Sequence, residues 1–492
     1  MTILRKLEKS LDVWFLIIFL TFFFFLRLPS LFEPYWYGDE GIYQTIGLAL
    51  NRGALLYRDI WDNKPPGLYF LYSVFGSDQF LLRLVSLLAG IGGVSAFFAL
   101  SKKLFNKPFI YRASTFIFLL LFGLPMLEGN IANAENFMVP LALFSAYLLI
   151  RFLTNKQKKP LLFLSGLILG ISFLFKIVAI FDFGAFLLFL YILDFPDKLN
   201  IKNLKNHLRD KFSQILIFTT AFLLPFFITI TYFLINQSLS LYLESMFFSN
   251  INYVGYGNKF LIPQGFLYLK IFLLAVSLLL IFLFRKNLKF PAYLFITLWF
   301  SFSFFNAFFS QRPYPHYVLV LVPSFCLLLG SIFLYKKLSK IIAAIFIVSI
   351  FIIGNYFSLY GKSLEHYLNF ANFVFDDKKV LKYQSFFDGN TPRDYKISAF
   401  IKSNTTTSDN IFIWGNNAQL YKLTGKLPPG KYTTLYHIVQ YPDGKSNTKL
   451  GLEEKKPKFI VLMSERSPYP FSLYNYRERI NIEGARIYER NI

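Results

Sequence analysis

Apolar residues run along this chain in long blocks separated by short polar stretches. Many blocks reach the roughly 20 residues a helix needs to cross a bilayer. The pattern predicts eleven membrane spans, at 11–28, 80–100, 110–127, 136–153, 161–176, 177–194, 214–236, 265–284, 290–309, 316–335 and 340–359. The fifth and sixth run together, as a tight hairpin or a partly re-entrant pair. The first follows a basic stretch (Arg5, Lys6, Lys9), as a signal peptide would. Arg27-Leu28-Pro29-Ser30 stands where a small-x-small cleavage site would be, so the segment reads as an uncleaved span. No internal repeat is visible, nor the paired broken helices of inverted-repeat transporters.

Two stretches depart from this series. The connection 29–79 is long and must have a purpose. It carries Ile42, Ile46, Ala49 and Leu50 at i, i+4, i+7 and i+8 from residue 42, one face of a helix expected to lie in the membrane interface. Pro65-Pro66 is suited to open a second short helix, 67–75. After about residue 360 the apolar runs shorten. Asn410–Trp414 and Lys458–Met463 read as buried strands, Arg393–Ser403 and Pro470–Arg479 as helices. The predicted fold is a polytopic α-helical membrane domain over 1–360 followed by a small α/β domain over 361–492.

Composition agrees with this: of 492 residues, 55% are hydrophobic and 20% aromatic. The formal net charge of +23 would suit a nucleic-acid binder. Its distribution excludes that reading, because Lys and Arg sit mostly in short loops between apolar blocks. With the N-terminus inside, the inside loops hold runs such as Lys102, Lys103, Lys107 and Arg112, or Lys198, Lys202, Lys205, Arg209 and Lys211. The outside loops hold only Arg52, Arg58, Lys64, Lys259 and Arg312, with Lys176 at the hairpin tip. The positive-inside rule then places the N-terminus in the cytoplasm. With an odd span count, the C-terminal domain lies outside the plasma membrane. The single cysteine, Cys326, allows no disulfide within the chain, and the four histidines show no metal-ligand spacing.

The candidate chemistry gathers on the outer side. Asp39 and Glu40 follow the first span. Glu128 and Glu135 flank the second outer loop, and Lys64, Arg58, Arg312, His316 and Lys176 supply positive charge. Carboxylates at a membrane surface are costly unless solvated or paired. Acids and bases converging there suit a reaction at a lipid phosphate: cations hold the departing phosphate and a carboxylate accepts the proton of an attacking hydroxyl. Phosphate is already a good leaving group, so no cofactor is expected and a metal is not obligatory. Plainer roles stay open. Asp39 suits an N-cap, Lys64 an interfacial snorkelling lysine, Glu128 and Glu135 solvated loop acids, His316 an interface anchor. Lys176 is either at the water surface or buried and paired.

These motifs resemble the GT-C membrane glycosyltransferases, in particular the superfamily of protein O-mannosyltransferases and aminoarabinose-lipid A transferases. The resemblance rests on Asp39-Glu40 and on the loop Gly53-x-x-x-Tyr57-x-Asp59-x-Trp61-Asp62-x-Lys64-Pro65-Pro66-Gly67. Glu135, Lys176 and Arg312-Pro-x-Pro-His316-Tyr317 with Pro323 add to it. It implies an inverting transferase that takes a monosaccharide from a polyprenyl-phosphate donor. Asp39 would be the base, with Glu40 assisting, and Lys64 would contact donor phosphate, with Arg58, Arg312 and His316 near it. Glu135, Glu128, Lys176 and Tyr317 would line the substrate cavity. The acceptor would be a hydroxyl of a glycolipid, envelope polysaccharide or protein. Against this stand two other readings, a flippase of lipid-linked sugars and a non-catalytic assembly protein. The chain is shorter in spans than the aminoarabinose transferases and lacks the large β-trefoil-type inserts of eukaryotic mannosyltransferases.

Overall fold

A computed structural model describes residues 2–155, 158–197, 200–251, 265–287, 291–310, 314–334, 359–375, 379–463 and 468–491. The chain divides into two compact units. One comprises Met1–Leu28, Val85–Tyr232 and Asn250–His366; the other Pro29–Leu84, Phe233–Ser249 and Tyr367–Ile492.

The first unit is helical. Its helices include α1 (Thr2–Arg27), most of α4 (Gln79–Phe105), α5 (Pro108–Gly123), α6 (Ala134–Thr154), α7 (Lys159–Phe173), α8 (Ile180–Ile192) and most of α9 (Ile201–Ile235). Further helices run over Gly265–Leu283, Pro291–Phe309 and Val322–Ile332. Backbone polar groups have no partners in lipid, so long apolar segments close their hydrogen bonds internally as helices. Ten of the expected segments are helical in whole or part; 340–359 lies largely outside the described residues. Among the described residues, five helices are long and apolar enough to cross a membrane: Ser10–Phe32, Gln79–Phe105, Ala134–Thr154, Ile201–Ile235 and Pro291–Phe309. The shorter apolar helices have 10–17 residues. The protein is thus a multi-pass membrane protein.

Small residues bring these helices together. A Cβ on Gly166 or Gly170 of α7 would stand 2.4 Å from Phe218 O or 2.2 Å from Phe222 O, so α7 and α9 pack backbone to backbone. Ser145 of α6 and Ser165 of α7 exchange hydrogen bonds with each other's carbonyls at 2.9 and 2.8 Å. The paired fifth and sixth segments are joined by the short turn Leu174–Lys176 and the 3-10 turn Ile177–Ala179.

The second unit joins Pro29–Leu84 and Phe233–Ser249 to the C-terminal residues. Its sheet has the order β1 (Ile411–Trp414), β2 (Phe459–Leu462), β4 (Ala485–Arg490), β3 (Tyr476–Ile482). The first pair is parallel and the others antiparallel. Both strands of the parallel pair are buried at every position. Ile411, Ile413, Phe459, Val461 and Ile487 form the core with Ile397, Ile401, Leu420 and Tyr421.

One expectation fails here. Pro470–Arg479 is not a helix. Tyr476 begins an exposed edge strand, with Arg477, Glu478 and Arg479 charged on it as edges require. The turn Glu483-Gly484, at φ 49 and 88, closes the hairpin and fixes this register. The amphipathic segment expected after the first span is a helix, α2 (Gly38–Leu50), and Glu40, Gly41, Tyr43, Gln44, Thr45 and Gly47 are buried along with its apolar face. It packs on α3 (Pro66–Val74) and on the helix Gln419–Thr424. A Cβ on Gly41 would stand 2.5 Å from Gln419 N, and Thr45 Oγ1 donates to Ala418 O at 3.1 Å. The Gly-, Asn- and Tyr-rich stretch 237–264 reads in the sequence as an ordered loop that could drape over a cleft; its residues 252–264 lie outside the described set.

Candidate functional site

The start of α2 sets the geometry. Tyr37 is the N-cap and Asp39 lies inside the first turn, so Asp39 is not the cap. An acid there faces the positive end of the helix dipole. The Asp39 carboxylate, one third exposed, accepts from Tyr43 Oη at 3.0 Å, one turn further on. Glu40 follows directly, and successive helix positions point about 100° apart. Its carboxylate is buried and gripped twice by Arg83, at 3.1 and 2.6 Å. Arg83 also reaches Glu33 at 2.6 Å and the Ser30 carbonyl at 3.0 Å. Glu40 is therefore a buried anchor of α2, while Asp39 is the carboxylate left at the surface of the pair.

Lys64 stands over Asp39. Its Nζ is 3.7 Å from Asp39 Oδ2, 3.7 Å from Asp62 Oδ2 and 4.8 Å from the Tyr43 ring centre. The backbone around it is fixed from both sides. The Lys64 carbonyl accepts from Tyr57 Oη at 2.6 Å, its amide donates to Tyr69 Oη at 3.2 Å, and Pro65 and Pro66 lead straight into α3. Asp62 is 1% exposed. It accepts from Tyr69 Oη at 2.7 Å and from the Asn63 amide at 2.8 Å, and its Oδ1 lies 3.6 Å from His437 Nε2. Burial, then the nearby Asp39 and Asp62 charges, push the Tyr43 hydroxyl well above its ordinary range. Burial and Asp62 do the same to Tyr69. Both phenols stay protonated and donate to the carboxylates. Burial pushes the His437 imidazole down to about 4, against the pull of Asp62, so the ring is neutral near pH 7.

Arg58 is turned to its neighbour, its guanidinium on Asp59 at 2.8 and 2.9 Å. Asp59 also accepts from the Leu55 amide, so this exposed pair clamps the turn around Tyr57, whose φ is 69°.

The helical unit holds a second polar cluster. Glu135, in the first turn of α6, is fully buried and pairs with Lys176. Its Oε1 lies 3.9 Å from His316 Nε2, and His316 Nδ1 meets Glu128 Oε2 at 2.5 Å. Lys176 Nζ sits 4.0 Å from the centre of the Tyr317 ring. Lys176 is thus largely buried and paired, and Glu135 is not a solvated loop acid. Arg312 lies outside the described residues.

The structure thus brings Asp39 and Lys64 together in one unit, and Glu128, Glu135, Lys176, His316 and Tyr317 together in the other. Reading the sequence missed Arg83, Glu33, Asp62, Tyr43, Tyr69 and His437 as site residues. Three had a visible signal: Tyr43 at i+4 from Asp39, Asp62 two before Lys64, and Arg83 as a lone cation in an apolar run. His437 had none.

Comparison with known proteins adds the following. The family described as dolichyl-phosphate-mannose-protein mannosyltransferase matches residues 64–223. Among solved structures, ArnT from Cupriavidus metallidurans in the apo state superposes with a TM-score of 0.58 at 16% identity, covering 98% of each chain. The chain has the fold of ArnT. The same enzyme bound to undecaprenyl phosphate gives 0.56 at 13% identity, again over 98% of each chain. The archaeal oligosaccharyltransferase AglB from Archaeoglobus fulgidus, in complex with an inhibitory peptide and a dolichol-phosphate, gives 0.49 at 12% identity over 92% of this chain and 69% of its own. No curated protein sequence matches. The ArnT fold extends over nearly the whole chain, which is thus a polytopic helical membrane protein with a C-terminal sheet domain.

Proposed function

We propose that this chain is an inverting membrane glycosyltransferase. It moves one monosaccharide from a polyprenyl-phosphate donor to a hydroxyl on an outer-face acceptor, whether glycolipid, envelope polysaccharide or protein. The observation that carries this reading is the Asp39–Lys64 pair. A carboxylate one third exposed and held by a phenol stands 3.7 Å from a lysine fixed by two prolines. The undecaprenyl phosphate bound to the matched ArnT structure agrees with a lipid-phosphate ligand.

The acceptor oxygen attacks the anomeric carbon as the carbon–oxygen bond to phosphate breaks. Asp39 takes the hydroxyl proton, and Tyr43 holds the carboxylate in place. Lys64 places its positive charge beside the phosphate oxygens, where negative charge accumulates as polyprenyl phosphate departs. Attack opposite the leaving group inverts the anomeric centre. Glu40 acts through the backbone, by fixing α2 on Arg83. In the helical unit, the Glu135, Lys176, His316 and Glu128 cluster with Tyr317 offers donors and acceptors to substrate hydroxyls. Eleven spans, a cytoplasmic N-terminus and an outward C-terminal domain complete the reading.

The test is transfer by purified protein from radiolabelled polyprenyl-phosphate sugars to an acceptor extract. Wild type is expected to release polyprenyl phosphate in step with labelled acceptor, and Lys64→Gln to raise the donor KM by about tenfold or more. Transfer at an unchanged donor KM in Lys64→Gln removes the phosphate role.

A further inference from the structure

His437 comes from the short helix Leu435–Gln440, more than 370 positions after Lys64, and it ends beside the same carboxylate. Its ring is 3% exposed and walled in by the rings of Trp61 at 5.1 Å and Tyr436 at 4.1 Å. Trp61 is itself tied down, its amide on the Lys431 carbonyl at 2.9 Å and its indole on Ser245 at 2.7 Å. The imidazole therefore has no room to turn. Its Nδ1 is buried without a hydrogen-bond partner among the described residues, while Nε2 faces Asp62 Oδ1. A neutral ring so placed carries its proton on Nε2, toward the carboxylate.

Asp62 is consequently surrounded on all its working sides. Tyr69 and the Asn63 amide hold it by hydrogen bonds from within the loop, the His437 ring stands 3.6 Å from its Oδ1, and Lys64 lies across Oδ2. Lys64 is equally far, 3.7 Å, from Asp62 and from Asp39. If Asp62 turned away, Lys64 would close onto Asp39. That contact would tie up the base and withdraw the cation from phosphate. A neutral donor at Asp62 is the right kind of partner for this task, because a charged one would cancel the carboxylate that Lys64 needs.

We propose that His437 is a positioning residue: through Asp62 it keeps Lys64 placed between two carboxylates, so that the C-terminal domain takes part in building the phosphate-holding site. This rests on the glycosyl-transfer reading above. Gln carries an amide N–H near the place of Nε2, whereas the shorter Asn carries its own near Nδ1. Histidine 437 therefore has a conservative replacement and a non-conservative one of the same polarity.

The experiment compares His437→Asn, His437→Gln, Asp62→Asn and the double variant His437→Asn/Asp62→Asn in the full-length protein. His437→Asn is expected to raise the donor KM about tenfold with kcat changed far less, and His437→Gln to bring KM back to within about threefold of wild type. The double variant is expected to match Asp62→Asn alone, since both losses act through one carboxylate. A second readout needs no turnover: the rate at which a soluble amine reagent modifies Lys64, followed by mass spectrometry. It should change at least about threefold in His437→Asn and not in His437→Gln. An unchanged KM and labelling rate in His437→Asn overturns the proposal. So does equal loss in Asn and Gln with a lowered melting temperature, or losses that add in the double variant. If wild type transfers no sugar while Lys64 labelling responds as expected, the transfer reading fails and the positioning of Lys64 stands.

Discussion

Asp39 and Glu40 are adjacent in sequence and opposite in environment. One carboxylate meets Tyr43 and Lys64 at the surface of the loop; the other is buried with Arg83 and Glu33. Removing one partner of a buried ion pair typically costs about 3–5 kcal/mol. Arg83→Met is therefore expected to lower the melting temperature sharply or prevent accumulation, whereas Asp39→Asn leaves the melting curve near wild type. A thermal scan of the detergent-purified variants checks both. His437 gives a pH signature of its own. The folded imidazole titrates at about 4, the unfolded one near its usual 6.5. Between those values the unfolded chain binds a proton that the folded chain does not. Stability thus falls as pH drops from about 6.5 to 4, by on the order of 3 kcal/mol, and this contribution levels off below 4. In His437→Gln the fall in melting temperature across that window should be shallower; an equal fall would place the titration elsewhere. The twin acids were legible in the sequence, but the roles were not, because i and i+1 on a helix diverge and only the partners show which way each turns.

At the scale of elements, hydropathy located the long helices well, since a bilayer-length apolar run leaves few alternatives. It did worse where burial comes from distant chain. The periodicity of α2 suggested a helix half in lipid, yet Gly41 and Thr45 on its polar side pack on residues near 418. A glycine on the polar face was the one local sign of a close approach. Gly41→Val must push Gln419 away, and overpacking of this kind costs about 1–3 kcal/mol. A melting temperature several degrees lower is expected, and an unchanged value would mean α2 does not sit against that helix. Strand β3 was missed for a different reason. Its charges mask the alternation, and the signal lay in the turn Glu483-Gly484 that follows it.

At the scale of the molecule, the two compact units are not two stretches of sequence. Residues 29–84 belong with 233–249 and 367–492, though 282 positions of mostly apolar helix separate the first stretch from the last. Composition marked where the polar C-terminal region begins but carried no sign that the first outer loop packs with it. The proposed orientation is open to a direct check. With Cys326 replaced by Ala, a cysteine at exposed Ser408 should react with an impermeant maleimide on intact cells, and one at exposed Asn206 only after the membrane is opened. The reverse pattern would invert the topology.

The central claim is that Asp39 is the base of a glycosyl transfer. Asp39→Asn preserves size and the hydrogen bond from Tyr43 but cannot accept the proton. The decisive measurement is the single-turnover rate of transfer from labelled polyprenyl-phosphate sugar in folded Asp39→Asn protein. It is expected to fall by about 10²–10⁴-fold with donor binding retained. Transfer at the wild-type rate would contradict the assignment.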